Sequence, residues 1–153
     1  MFRADYNSIE SKAIVVRVGE VKQEFYVHEK RLRASSEFFD RALKKEWREG
    51  QEAAVDLPDA EPKYFRAWVK FLYTGRVYIG QEKGGSVPKD GISYSTELVT
   101  WRHLYALGGF LRDVDFEDAL IDAMIDRMIT FGRYPLDLAT YIYPHTKQDS
   151  NHR

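Results

Sequence analysis

The chain has 153 residues, 23 Lys and Arg against 24 Asp and Glu, a formal net charge of −1 and no cysteine. That length suits one domain with a real core, and a charge near zero supplies no field to gather nucleic acid or an anionic membrane surface. The missing cysteines exclude disulfides, thiolate metal sites and a cysteine nucleophile, and no apolar run approaches the ~20 residues of a membrane span.

Residues 1–12 are polar, without the apolar core of a signal peptide, and are expected to form a flexible N-terminal segment. In residues 13–18, Ile14, Val16 and Val18 alternate onto one face of a strand. After Gly19 the extended pattern resumes, with Phe25 and Val27 on one side, and the two runs read as an antiparallel hairpin. Residues 28–33 form a short helical piece with Leu32 as its apolar contact. Ser35 or Ser36 can accept a hydrogen bond from the free amides of the next helix, in which Phe39, Ala42 and Leu43 recur at i, i+3, i+4. Gly50 is the expected stop. Val55 and Leu57 mark a third strand.

Asp59 is expected to cap the next helix, whose first turn holds Glu61 and Pro62, and Phe65, Trp68, Val69 and Leu72 make its apolar stripe. Residues 77–79 are a strand candidate, and residues 80–95, rich in glycine and aperiodic, read as a loop. A helix is expected over residues 96–107, stopped by Gly108 and Gly109. Asp113 or Asp115 opens another, with Phe116, Leu120, Ala123, Met124 and Met128 on its buried side. Residues 136–143 could add a helix or turn, and the polar end should fray. A hairpin, short strands and then paired helices give an α+β class with helices dominant.

Residues 25–74 carry a recurring order of motifs: His28-x3-Leu32-x3-Ser36-x2-Phe39 at the head and Phe71-Leu72-Tyr73-Thr74-Gly75 at the close. In this order and spacing the chain resembles a BTB/POZ domain, over most of its length. The resemblance implies a small β-sheet packed on a cluster of helical hairpins, with residues 13–131 as the domain, 80–95 as a loop insertion and 132–153 as a partly disordered C-terminal extension. The stretch YPLDLATYIYPHT after the last helix is similar in style to many fungal BTB proteins. In the family, His28, Leu32, Ser36 and Phe39 correspond to a structural signature.

Catalytic readings find little support. His28 has serines nearby but no nucleophile-elbow glycines, so it reads as a packed corner histidine. His28, His103, His145 and His152 include no pair at metal-ligand spacing, and Gly84-Gly85 and Gly108-Gly109 lack the residues of a phosphate loop. The basic residues from Lys30 to Lys45 are interleaved with Glu29, Glu37, Asp40 and Glu46, a solvated helix face. Glu97 and the acids from Asp113 to Asp126 read as helix-start and outer-face charges. No catalytic residue, cofactor or metal is therefore expected, and neither is a nucleic-acid or membrane partner.

Binding remains. Many members of the family are adaptors that dock a cullin ubiquitin-ligase scaffold through a hydrophobic-x-Glu motif just before the third strand, where Trp47-Arg48-Glu49 stands here. An indole can anchor in an apolar pocket while a carboxylate meets an amide or cation beside it. The expected partner site is thus Trp47 and Glu49, extended by Phe38, Tyr64 and Tyr73. The expected partner is a cullin or another BTB domain, with a self-associating scaffold as the alternative to an adaptor. Only residues 1–12 precede the first hairpin, which argues against the family's strand-exchanged homodimer, and no substrate-reading domain follows in these residues. An intracellular location, cytoplasmic or nuclear, is the matching expectation.

Overall fold

A computed structural model describes residues 10–46, 54–79 and 91–132. Strands β1 (Ala13–Val18) and β2 (Gln23–His28) pair antiparallel, with Ile14 opposite Val27 and Val16 opposite Phe25. Strand β3 (Ala54–Leu57) joins the free edge of β1 in parallel, giving the order β2-β1-β3. Period-2 alternation sends Ile14, Val16, Val18, Val27, Val55 and Leu57 to one face, where all are buried. On the other face Arg17 and Asp56, neighbours across β1 and β3, pair at 3.3 Å.

Two short helices follow the hairpin, α1 (Glu29–Ser35) and α2 (Glu37–Glu46). Ser36 separates them, and its hydroxyl accepts from the amide of Phe39 at 3.2 Å, as an N-cap should. Leu32, Phe39 and Leu43 are fully buried. Helix α3 (Pro62–Thr74) opens from Glu61, whose side chain makes no capping bond, so Asp59 is not the cap. Pro62 fits the first turn because its missing amide had no intrahelical partner there. Helix α3 closes on Gly75 in the left-handed region, φ 69°, with the Gly75 amide on the Phe71 carbonyl at 2.8 Å. Trp68 of α3 stacks on Phe39 of α2 at 5.6 Å, and Phe65 meets Phe25 edge-on at 5.0 Å. The aromatic core is therefore shared by sheet and helices.

Helices α4 (Gly91–Leu111) and α5 (Val114–Phe131) form a hairpin against α3 and α2. Here the sequence expectations need correction. Helix α4 starts at Gly91, inside the stretch expected to be loop, and it runs through Gly108 and Gly109 to Leu111. A Cβ on Gly108 would sit 3.1 Å from the ring of Phe116 and 3.2 Å from Glu117. The glycine serves the crossing of α4 and α5, and a neighbouring helix rather than local propensity decides its place. The stop is Arg112, at φ 53°, with Asp113 N–H to the Gly108 carbonyl at 3.1 Å and Arg112 N–H to the Gly109 carbonyl at 3.4 Å, a Schellman closure. Residues 76–79 form no strand, although Val77 and Ile79 pack on the core. Glu97 is not an outer-face charge: it is largely buried and pairs with Arg127 of α5.

Asp113 caps α5 by accepting the Phe116 amide at 3.0 Å, and its other oxygen accepts the Trp68 indole N–H at 2.9 Å. Burial pushes its carboxyl up to about 6, against the pull of these donors. A folded-state value above the unfolded one means that folding takes up a proton between the two values. The stabilisation is fully present below pH ~4 and is lost as pH rises through about 6. Urea unfolding of the wild type, compared with Asp113→Asn from pH 4 to 6, should show the wild type losing relative stability by up to ~3 kcal/mol. Parallel pH profiles for the two proteins would contradict this.

A candidate protein-docking groove

Helix α2, the turn after β3 and helix α4 enclose a groove of about 500 Å³. Phe38 of α2 forms one wall; it stands edge-on to Phe39 at 5.3 Å, which anchors it to the core. The turn of Pro58, Asp59 and Ala60 forms the second wall, and Leu57, almost wholly buried, lies at its base. Helix α4 supplies the third through His103, Ala106, Leu107 and Phe110, which recur at i, i+3, i+4, i+7 and so share one face. Tyr64, at the start of α3, stacks under the His103 ring at 4.7 Å and 11°. His103 Nδ1 lies 2.8 Å from the Val99 carbonyl, which can only accept, so that nitrogen carries the proton.

Phe110 distinguishes this groove from ordinary surface. It is 55% exposed, yet its ring lies 5.1 Å from Phe38, so the two make a continuous apolar edge. Tyr64 supplies the only side-chain hydroxyl among the lining residues, and no nucleophile with an oriented base is assembled there. A shallower hollow between α1, α2 and the α4–α5 turn is polar, and most of its charges answer one another. Arg33 pairs with Asp40 at 2.9 Å and Glu29 at 3.0 Å, Lys44 with Asp40 at 2.9 Å, and Arg112 with Glu37 at 3.3 Å. Lys44 and then Arg33 hold the Asp40 carboxyl below its ordinary value. That hollow offers a partner little unmet charge.

Of the residues singled out in the sequence, Phe38 and Tyr64 meet in the groove, while Tyr73 does not. Nine residues along α3 from Tyr64, Tyr73 faces the opposite side of the helix, about 13 Å away along the axis. There its hydroxyl accepts the His28 amide at 3.1 Å and lies 2.7 Å from His28 Nδ1, with the Arg31 guanidinium 5.3 Å from the ring centre. His28, Leu32, Ser36 and Phe39 occupy the strand-to-helix corner and the core beneath it. Trp47 and Glu49 lie outside the described residues. Phe110, Ala106 and the groove roles of Leu107 and His103 were missed by sequence reasoning. Once α4 is taken to end at Gly108, Phe110 drops off its face. The i, i+3, i+4, i+7 spacing was the signal available. Among the described residues, no His, Cys, Asp and Glu cluster could hold a metal ion, and no helix is long and apolar enough to cross a membrane.

Comparison with known proteins agrees with this architecture. A family model described as BTB/POZ domain matches residues 8–99. Among solved structures, the BTB domain of zebrafish PATZ1 is similar at a TM-score of 0.52 and 19% identity, over 74% of this chain and 75% of that one. At that identity the likeness speaks for the fold alone.

The groove walls should separate by stability. Tyr64→Ala removes a buried, stacked ring and should cost about 3 kcal/mol, whereas Phe110→Ala, at a half-exposed site, should cost less than about 1 kcal/mol. Urea denaturation of both variants measures this, and equal losses would show that Phe110 is a core residue.

Proposed function

The chain belongs to the BTB/POZ domain family, and from that premise we propose that it docks its protein partner in the groove between α2, the β3–α3 turn and α4. A BTB/POZ domain is a protein–protein interaction module. Phe110 carries the reading, because a half-exposed ring set against Phe38 is an apolar edge that awaits a partner surface. We assign the chain no catalytic step.

The partner class we propose is a cullin scaffold, which makes the chain an adaptor of a ubiquitin ligase. The support is the resemblance of Trp47-Arg48-Glu49 to the family's docking motif. A second copy of the chain is the competing occupant.

Calorimetric titration with the N-terminal region of a cullin tests this. Phe110→Ala and Trp47→Ala should each weaken binding by about 2 kcal/mol with the melting temperature almost unchanged. Undiminished binding by Phe110→Ala would remove the groove from the interface. Absence of binding by the wild type would end the cullin assignment, and a dimer on light scattering that Phe110→Ala dissociates would give the groove to self-association.

A further inference from the structure

The acids that line the groove outnumber the cations that answer them. Its lining includes Asp56, Asp59 and Glu61 but no lysine or arginine. Arg17 answers Asp56 at 3.3 Å and Lys63 answers Glu61 at 3.4 Å, both at the surface. Asp59 has no cation within ion-pair distance among the described residues. The half-exposed Phe110 ring adds to the same bias, because ring faces attract cations, whereas Tyr64 is already covered by the His103 ring at 4.7 Å and by Lys63, 4.7 Å from its ring centre.

We propose that the groove selects a cationic partner segment, in which an apolar side chain sits against Phe38, Tyr64 and Phe110 while a flanking arginine or lysine meets the acidic turn at Asp59. This rests on the groove being the docking face. Arginine suits the site better than lysine, because its planar fork can pair with a carboxylate and stack on a ring together. An acidic residue beside the anchor would face Asp59 and be disfavoured. The same argument counts against the chain's own exposed α5 residues as occupants. Ile125 and Ile129 are 48% and 72% exposed, but Asp122 and Asp126 stand beside them. A second copy entering through α5 would bring like charge to the acidic turn, whereas a basic amphipathic segment of another protein would bring opposite charge.

The test uses two fluorescent peptides with the same leucine and phenylalanine anchors, one flanked by arginine and one by glutamate, followed by anisotropy on the whole chain. The arginine peptide should bind at least about tenfold more tightly, with the gap closing as salt rises above a few tenths molar. Asp59→Lys should erase or invert the preference, and Asp59→Asn should reduce it. Equal binding of the two peptides, binding of neither, or a preference that survives Asp59→Lys would overturn the proposal. Phe110→Ala separates this failure from that of the groove itself. If both peptides bind equally and lose affinity in that variant, the groove stands and its charge selectivity falls; if the variant binds both undiminished, the docking face lies elsewhere. Circular dichroism melts of each variant confirm that the domain remains folded.

Discussion

The turn between α4 and α5 ties four helices together through consecutive residues. The Leu111 carbonyl accepts the Ser36 hydroxyl at 2.5 Å, the Arg112 carbonyl faces the Glu37 amide at 3.5 Å, and Asp113 accepts both the Trp68 indole and the Phe116 amide. The N-terminus of α2, the middle of α3 and the N-terminus of α5 are thus fixed to one short piece of backbone. Bonds of this kind are worth about 1 kcal/mol each when formed, but a buried donor left unanswered costs ~1–3 kcal/mol. The turn is therefore an all-or-nothing joint. Phe110 directly precedes it, so the bonds that hold the joint also hold the groove wall against Phe38.

Arg112 shows what this joint demands. Its left-handed φ of 53° is a conformation that glycine adopts more easily, and most side chains meet a cost of about 1–2 kcal/mol there. The closure of α4 and the carbonyl contact to α2 both need the backbone to reverse at this point. The arginine side chain reaches back to Glu37 at 3.3 Å, so its charge works in the same place as its backbone. Gly108 and Gly109, one turn earlier, let α5 approach α4 closely instead.

Much of this was legible in the sequence, for local reasons. Alternation of Ile14, Val16 and Val18 with Phe25 and Val27 encodes the hairpin, and Ser36 and Asp113 announce the helix starts that they cap. The apolar stripe of α3 marks its central place, because it is wide enough to be covered by more than one neighbour. What failed depended on other parts of the chain. A glycine pair looks like a stop until Phe116 arrives from α5 to fill the space, and Glu97 looks like surface until Arg127 lies across from it. The groove suffered from the first of these errors, since ending α4 early hides Phe110. Tyr73 is a different case, because its nine-residue offset from Tyr64 already puts the two on opposite faces of one helix.

Aromatic richness acquires its meaning from where the rings go. Phe39, Phe65, Trp68, Phe71, Trp101, Tyr105 and Phe116 are buried, and their contacts run through the core as stacked and tilted pairs. Tyr26 is exposed too, but it stands on the open face of the sheet with its hydroxyl 3.0 Å from Glu24, so its polar end is satisfied. Phe110 has no polar end to satisfy. Its groove is built from two helices and from a turn flanked by Pro58 and Pro62, and Gly19 of the hairpin passes so close that an added Cβ would lie 3.3 Å from the Pro62 ring. Proline removes backbone freedom that binding would otherwise have to remove. A partner segment would therefore meet walls already in place, and the ordering cost of association would fall mainly on the segment. For such a segment, a complementary charge at Asp59 adds steering and register to the contact made by its apolar anchor.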